Sequence, residues 1–302
     1  MSRILLAAGA ALLFVAAVLA TVTQTKGSTT TAVTISLPVH VTTATSKPQP
    51  PPPPPPSPVA MSWQDAGAFI VHPSSVDPAQ LGQEMRTAGF GWVAVDLASL
   101  DPGWISRFRL ASGLPVGGWS VLGADPQGDA RRAVQLINQN NLAFYIADAE
   151  EPYGYTDLGT TNPAMFARSK QFVTAFRAGE PTLPAAVSSY CRPDRHDLDW
   201  SAWVVGNFDF LPQAYANDFG AAAFPRLCAN AAAKWFPLAR VHPTIGSYSG
   251  MRGIVPPSTW IALLRAAKTT GFSIYPAEAG MSPENWQAYG AALSALATRV
   301  TP

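Results

Sequence analysis

The sequence predicts an α/β protein: a closed (β/α)8 TIM barrel preceded by an N-terminal hydrophobic segment and a Thr/Pro-rich linker. From Gly67 onward, short apolar strands alternate with helical stretches, which favours a parallel sheet. Eight such strand–helix units occupy roughly 240 residues, the usual size of a (β/α)8 barrel. A doubly wound open sheet is the alternative. No strand is followed by the G-x-G-x-x-G turn of dinucleotide-binding proteins, however, and no P-loop occurs.

By composition, the 302 residues divide into an N-terminal leader, first apolar and then polar, and one folded domain. Residues 1–60 contain three basic residues and no acid, whereas residues 61–302 contain all nine Trp and all eight Tyr. Residues 61–302 are therefore the barrel domain, and they are numerous enough for one sizeable core. The net charge is only +1, whereas proteins that bind nucleic acid concentrate Lys and Arg on one face. No nucleic-acid partner is therefore expected.

Residues 1–22 predict a secretory signal peptide or a signal anchor. Arg3 precedes an uncharged stretch, residues 4–22, whose length approaches the ~20 residues of a membrane-spanning helix. This stretch is longer than the apolar region of most signal peptides, ~7–15 residues, yet Val18, Leu19 and Ala20 offer a small-residue cleavage site. Both alternatives stay open. Either one places the barrel outside the cytoplasm, secreted or held at the membrane through residues 4–22.

Residues 23–60 predict a disordered stalk rich in Thr, Ser and Pro. Its last part contains seven consecutive prolines, Pro50–Pro56. Such a run adopts the extended polyproline II conformation, which rises ~3.1 Å per residue. We expect this stalk to hold the barrel away from a surface.

The predicted strands and helices follow from apolar runs and from helix start signals. A capping side chain followed by Pro opens three helices, at Asp77-Pro78, Asn162-Pro163 and Ser282-Pro283, which we expect to end near Gly89, Arg177 and Arg299. The eight predicted strands are Ala68–His72, Trp92–Leu97, Pro115–Leu122, Ala143–Glu150, Ala185–Tyr190, Phe210–Asn217, Val241–Tyr248 and Phe272–Glu278.

The end of the fourth predicted strand carries the candidate catalytic residues. Because side chains alternate along a strand, Asp148 and Glu150 share one face. Two neighbouring carboxylates cannot both ionise freely, so such a pair can supply the acid and the charge stabiliser that glycoside cleavage needs. An insertion, Glu151–Thr161, follows directly, and the loops after the strands form the active-site face of a barrel.

Other predicted strand ends and the insertion carry candidate substrate-binding residues. Aromatic rings suit the apolar faces of sugars, whereas carboxylates and amides bind hydroxyl groups. These observations predict a polysaccharide ligand. The candidate residues are Asp96, Trp119, Tyr153, Gln213, Tyr215, Tyr248 and Glu278.

Several other chemistries are not indicated. The sequence contains no G-x-S-x-G nucleophile elbow and no H-E-x-x-H or H-x-x-x-H spacing, so we expect neither a metal nor another cofactor. Cys191 follows the fifth predicted strand and Cys228 lies in the helix after the sixth, which makes them neighbours in a barrel. Outside the cytoplasm we expect a disulfide between them, with two free thiols as the alternative.

The Asp148-Ala-Glu150 tip, with Gln213-Ala-Tyr215 two strands later, resembles barrel glycoside hydrolases that act on N-acetylated polysaccharides, the chitinase-like and lysozyme-like families. The resemblance implies that Glu150 is the general acid. It also implies that Asp148 orients or stabilises the N-acetyl group of the substrate and that Tyr215 assists.

A second alignment makes Glu151 the acid instead. Glu150, Glu151 and Pro152 resemble the Asn-Glu-Pro tip of the large clan of retaining glycosidases. That clan has a nucleophilic Glu at the end of the seventh strand, where Ser247 and Tyr248 offer none, so this alignment ranks lower.

We therefore predict a monomeric glycoside-hydrolase-like protein that hydrolyses or recognises a cell-envelope or N-acetylated polysaccharide. The alternative is a non-catalytic carbohydrate-binding or surface-display barrel. The chitinase-like pattern has further Asp residues where this chain has Ile146 and Ala143, and the lysozyme-like pattern has one in the region of Ile70 and His72. These differences favour the alternative, whereas the Asp–Glu pair favours hydrolysis.

Overall fold

A computed structural model describes residues 60–154, 163–196, 198–269 and 271–297. In this part of the chain, eight parallel strands follow one another around a closed barrel, and the last pairs with the first. The predicted barrel is confirmed, and the open sheet is excluded. The strands are β1 Ala66–Ile70, β2 Trp92–Asp96, β3 Val116–Val121, β4 Tyr145–Asp148, β5 Ala185–Tyr190, β6 Phe208–Ala214, β7 Thr244–Gly246 and β8 Phe272–Tyr275.

The predictions for the signal segment and for all but the last residue of the stalk lie outside the described residues. Within the described ranges, no helix is both long enough and apolar enough to cross a membrane.

The helices lie around the barrel, mostly one or two after each strand. They are α1 Pro78–Thr87, α2 Pro102–Ser112, α3 Pro126–Asn140, α4 Glu151–Gly154, α5 Pro163–Gly179, α6 Trp200–Val205, α7 Ala216–Phe219, α8 Pro225–Ala232, α9 Pro257–Ala267, α10 Ala277–Gly280 and α11 Pro283–Ala297. Short 3₁₀ helices span Pro73–Ser75, Leu97–Ser99, Pro193–Arg195, Gly220–Ala223 and Leu238–Arg240.

The helices α1, α5 and α11 begin at the predicted prolines, Pro78, Pro163 and Pro283, although Asn162 lies outside the described residues. The Asp77 carboxylate accepts a hydrogen bond from the Gln80 amide at 2.8 Å, and Pro78 takes the first helical position of α1. Most strand ends differ from prediction by a few residues. β7 is shortened most, to Thr244–Gly246, and Val241 forms only an isolated bridge to Phe210. β6 ends at Ala214 because α7 begins two residues later.

Alternate strand residues build two separate apolar layers. Outward side chains pack beneath the helices and form the larger core, which includes Val95, Tyr145 and Phe210. Inward side chains fill the barrel itself. The buried residues of this inner cluster are Phe69, Trp92, Ala94, Trp119, Phe144, Ile146, Ala186 and Leu211.

Aromatic rings close the floor of the barrel, at the amino ends of the strands. The Trp63 ring contacts Trp92 and Phe144 edge-on, with ring centroids 5.4 and 5.3 Å apart. A Cβ atom at Gly67 would lie 2.0 Å from Trp92, and one at Gly117 would lie 2.3 Å from Phe144. Glycine at these two positions therefore makes room for the rings that fill the floor.

Several charged side chains at the same end join neighbouring segments of the chain. The Arg177 guanidinium donates to the carbonyls of Gly206 at 2.6 Å and Leu183 at 2.8 Å. The Asp209 carboxylate binds Arg240 at 2.9 Å and His242 at 3.0 Å. These contacts tie together the segments that enter β5, β6 and β7, so the floor is a structural end of the barrel.

Candidate active site

The site is built around two acids from the end of β4 and one amide from β6. The Gln213 Nε2 atom donates to Asp148 Oδ1 at 3.0 Å and to Glu150 Oε1 at 2.7 Å. One amide group thus holds both carboxylates, which lie on the same face of the chain as the side-chain alternation predicts. Gln213 was predicted to bind substrate, and the structure gives it this positioning contact.

The barrel register explains why these groups meet. Asp148 of β4 lies opposite Ser188 of β5, and Tyr190 of β5 lies opposite Gln213 of β6. Because all four positions point into the barrel, the amide reaches across β5 to the acids. The site therefore depends on the pairing of three consecutive strands.

The environment of Asp148 favours its protonated form. Burial raises the pKa of the Asp148 carboxyl group well above its ordinary value, and the negative charge of Glu150 raises it further. Hydrogen bonds from Ser188 and Gln213 oppose this rise because they stabilise the carboxylate. The Asp148 carboxyl group can therefore retain its proton at a pH where an isolated surface Asp has lost it.

Tyrosine rings line the mouth beside the acids. Tyr215 stacks on Tyr275 with ring centroids 5.7 Å apart, and Tyr248 contacts Tyr215 edge-on at 6.1 Å. Burial raises the pKa of Tyr215 far above its ordinary value, and the Asp148 charge adds to this effect. Its hydroxyl therefore stays protonated and can donate a hydrogen bond to a ligand.

Trp119 lies beneath this wall. It is 4% exposed, it contacts Tyr275 edge-on at 6.0 Å, and its indole nitrogen donates to the Ile70 carbonyl at 3.1 Å. The structure therefore places Trp119 in the base of the site, where it supports Tyr275. This position differs from the exposed sugar platform that a substrate-binding residue would offer.

Two predicted substrate-binding acids accept hydrogen bonds from the loops after β1 and β2. The Asp96 carboxylate accepts from the Ala98 amide at 3.0 Å and from the Ser99 hydroxyl at 2.9 Å. The Glu278 Oε1 atom accepts from the amides of Val71 and His72 at 2.7 and 2.8 Å. We assign both carboxylates this structural role, since they organise the chain after β1 and β2.

Tyr248 also has an internal partner. Its hydroxyl donates to the Asp218 carboxylate, which accepts from the Met251 amide at 2.8 Å through its other oxygen. Burial is the first cause of the raised pKa of Tyr248, followed by this contact with Asp218. The ring of Tyr248 is thus fixed against Tyr215, while its hydroxyl joins the loops after β6 and β7.

The structure does not bring Tyr153 or Glu151 to the acid pair. Tyr153 is fully buried in the outer core and contacts Phe172, with ring centroids 6.4 Å apart. Glu151 is exposed in the first turn of α4. Because the chain turns into a helix directly after Glu150, the strand alternation that places Asp148 no longer applies to these two residues.

Sequence reasoning missed three residues at the mouth, namely Ser188, Tyr190 and Tyr275. Ser188 and Tyr190 share the inward face of β5, and Tyr275 is the last residue of β8. Counting every second residue along β5 would have found the first two. Tyr190 also stacks on His196, with ring centroids only 3.9 Å apart.

A disulfide bond links two segments at this end of the barrel. Cys191, directly after β5, forms a disulfide with Cys228 of α8, with an S–S distance of 2.10 Å and Cα atoms 4.6 Å apart. This is the pairing that the sequence leads us to expect. In the described part of the chain, no three His, Cys, Asp or Glu side chains form a group that could hold a metal ion.

Comparison with known proteins relates the fold to polysaccharide-degrading enzymes. No protein-family model matches the sequence, and no curated protein matches it either. Among solved structures, a class V chitinase from Nicotiana tobaccum is 9% identical, with a TM-score of 0.58 over 76% of this chain and 98% of that chain.

Two bacterial domains show the same likeness. The C-terminal domain of a putative chitinase from Desulfitobacterium hafniense is 9% identical, with a TM-score of 0.58 over 80% of this chain and 99% of the domain. The C-terminal domain of Legionella pneumophila ChiA is 10% identical, with a TM-score of 0.56 over 79% and 100%. The chain therefore has the fold of chitinase-like glycoside hydrolase barrels.

Proposed function

We propose that this protein binds an N-acetylated polysaccharide at the mouth of the barrel and hydrolyses its glycosidic bonds, with Glu150 as the general acid. The observation that carries the proposal is the single Gln213 amide that holds Asp148 and Glu150 at 3.0 and 2.7 Å. Two neighbouring carboxyl groups are the arrangement that acid-catalysed glycoside cleavage requires, and one of them, Asp148, has a pKa raised by burial.

The proposed reaction uses the substrate's own acetamido group as nucleophile. Glu150 gives its proton to the leaving oxygen as the bond from that oxygen to the anomeric carbon breaks, and the acetamido oxygen bonds to the same carbon. When substrate binds, the proton held by Asp148 passes to Glu150, so that Asp148 becomes a carboxylate and stabilises the positive charge that develops on the acetamido group. The Tyr215 hydroxyl donates to the acetamido oxygen. Water then attacks the anomeric carbon, the bond to the acetamido oxygen breaks, and a proton returns to Glu150.

The site supports a sugar with an N-acetyl group in particular. Tyr215, Tyr248 and Tyr275 present aromatic surface beside the acids, which suits the apolar face of a sugar and a methyl group. One structural neighbour, a Glu-to-Gln mutant of the tobacco chitinase, is in complex with NAG4. We therefore propose chitin-like or other cell-envelope glycans as the substrate class.

Recognition without hydrolysis is the second candidate, and one observation favours it. Ile146 is fully buried in the inner apolar cluster, at a position where the chitinase-like pattern has an acid. Ile146 therefore provides no carboxylate beneath Asp148 that could take up its proton. A protein that only binds glycans would be consistent with this interior.

The test separates binding from cleavage with the full-length protein. Release of reducing ends is measured on chitin, peptidoglycan and mixed cell-wall glycans, and binding is measured by co-sedimentation with the same insoluble polymers. We expect both binding and release on at least one polymer. Saturable binding with no release from any of them would establish the binding protein instead, and the absence of both would contradict the proposal.

We also infer that the barrel works outside the cytoplasm, either secreted or anchored through residues 4–22. The support is the uncharged segment after Arg3 and the disulfide between Cys191 and Cys228. Fractionation of cells that express the full chain tests this inference. Recovery of the protein only in the cytoplasmic fraction, with both cysteines reduced, would contradict it.

A further inference from the structure

We propose that the loops after β6 and β7 bind the surface of a membrane that contains anionic lipids. The contact surface is an exposed apolar patch formed by Phe219, Phe224, Leu227, Met251 and Ile254. The patch contains neither of the two acids to which hydrolysis is assigned. Membrane binding and hydrolysis can therefore be tested separately.

Exposed apolar side chains are concentrated in these two loops. Met251 is 79% exposed, Ile254 is 67% exposed and Phe219 is 56% exposed. Of the ten large apolar residues that are exposed in the described part of the chain, five lie within residues 219–227 and 251–254. Single exposed apolar residues are normal at a protein surface, whereas a cluster of them marks an interaction site.

Backbone contacts hold the two loops side by side. The Met251 amide donates to the Asp218 carboxylate at 2.8 Å, and the Arg252 amide donates to the Asn217 carbonyl at 2.8 Å. The Arg252 side chain also packs over Gly220, where a Cβ atom would lie 2.9 Å from the Nε atom of the arginine. The exposed residues of the loop after β7 therefore lie next to those of the loop after β6.

The charge of this region favours an anionic partner. Residues 219–277 contain six basic residues and no Asp or Glu. Arg226 and Arg252 are exposed beside the patch, and the ion pairs within the described ranges include neither of them. Both guanidinium groups can therefore bind an external anion such as a lipid phosphate.

Apolar side chains beside arginines match the boundary between the headgroups and the acyl chains of a bilayer. Apolar side chains enter this boundary, while the long side chain of Arg keeps its charge among the headgroups. A soluble anionic polymer would attract the arginines but leave Met251 and Ile254 in water. A second copy of the patch would cover the apolar side chains but bring like charges together. An anionic bilayer satisfies both features of the patch.

The experiment places a fluorescent reporter in the patch of the full-length protein. Met251→Cys is labelled with the environment-sensitive dye NBD, and the two native cysteines do not react because they are bonded to each other. The matched control is Leu110→Cys, since Leu110 is 68% exposed on α2, outside the patch. A reporter at a chosen residue distinguishes contact through the patch from insertion of residues 4–22.

The labelled proteins are mixed with vesicles of phosphatidylcholine alone and with vesicles of equal parts phosphatidylcholine and phosphatidylglycerol. We expect the emission of the dye at residue 251 to shift to the blue with the anionic vesicles only. The dye at residue 110 should shift with neither.

A second comparison tests the charges. In the labelled Met251→Cys protein, Arg226→Gln and Arg252→Gln should each lower the ratio of membrane-inserted to water-exposed dye roughly fivefold. The ratio is measured at a concentration of anionic vesicles that leaves part of the dye in water. Arg131→Gln, which removes an exposed charge on α3, is the matched control and should leave the ratio unchanged.

Four results would overturn the proposal. Equal shifts at residues 110 and 251 would show adsorption without a preferred surface. Equal shifts with both kinds of vesicle, or arginine variants that behave like Arg131→Gln, would exclude anionic lipid as the partner. The absence of a shift at residue 251 with either vesicle would exclude membrane contact, and a dimer in light scattering would then assign the patch to contact between copies. Glycan hydrolysis is measured independently and stands or falls on the acid pair.

Discussion

The two ends of the barrel use polar groups in opposite ways. At the floor, the Arg177 guanidinium donates to backbone carbonyls, and the Asp209 carboxylate binds both Arg240 and His242. At the mouth, one amide of Gln213 serves two acids. The contacts of the floor therefore join charged side chains to the backbone and to one another. The two acids of the mouth retain lone pairs that can accept further hydrogen bonds, and this difference distinguishes the proposed functional end from the floor.

The largest effect that we expect concerns Glu150 at the mouth. Glu150→Gln keeps the shape of the side chain but cannot deliver a proton, so turnover should fall about 10²- to 10⁴-fold while polymer binding is retained. The measurement is reducing-end release alongside co-sedimentation. Glu151→Gln is the matched control, since Glu151 is exposed in α4. If Glu151→Gln is inactive and Glu150→Gln is active, the Asn-Glu-Pro-like alignment is the correct one.

At the floor, we expect a change in stability with no loss of binding. Trp92 is fully buried against Trp63 and Phe144, and Trp92→Ala should lower the free energy of unfolding by about 3–5 kcal/mol. Urea unfolding checks the magnitude. Glycan binding, measured at a temperature where the variant is folded, should equal that of wild type. A specific loss of binding by a folded Trp92→Ala protein would break the distinction between the two ends.

The disulfide is a covalent link at the mouth. Its loss should lower stability somewhat less than the loss of the Trp92 side chain. The bond between Cys191 and Cys228 spans a sequence separation of 37 residues, for which chain entropy gives roughly 3–4 kcal/mol. The paired Cys191→Ser and Cys228→Ser substitutions should lower the free energy of unfolding by about that amount. Mass spectrometry of non-reduced peptides should recover the linked pair. Alkylation of both cysteines in exported protein without reductant would contradict the bond.

The smallest effect that we expect is a pH dependence at the acid pair. Burial and the charge of Glu150 raise the pKa of Asp148, so its protonated form favours the folded state. This contribution is present at low pH and is lost as the pH rises through the raised pKa. Asp148→Asn should therefore become more stable relative to wild type in urea unfolding as the pH rises above about 4, the ordinary pKa of an Asp side chain. A constant difference across this range would show that Asp148 titrates like a surface carboxylate.

Strand alternation carried most of what the sequence could predict. The alternation placed Asp148, Glu150 and Gln213 on inward faces, and the structure joins these three residues directly. The Asp-Pro and Asn-Pro pairs located the starts of α1 and α5 because a capping residue and a proline act locally. Such features depend on few residues, and a single sequence therefore displays them.

The roles that sequence reasoning assigned less well depend on distant partners. Glu278 carries a carboxylate suitable for substrate, but the amides that it binds belong to Val71 and His72, more than two hundred residues earlier. Tyr153 follows the acids in sequence, yet it belongs to α4, and its side chain lies in the outer core. The closure of the barrel determines the contacts of Glu278, and the local helix determines those of Tyr153. Neither feature is visible as a residue pattern.

The contacts of the Gln213 amide with both acids have a consequence for protein engineering. Because Gln213 reaches Asp148 and Glu150 across β5, a transplant of the site into another barrel must carry β4, β5 and β6 as one cassette with their register intact. The loops after β1, β2 and β8 lie outside that cassette and form a separate exchangeable module. Substitutions in the second module should therefore leave the spacing of the acids unaltered.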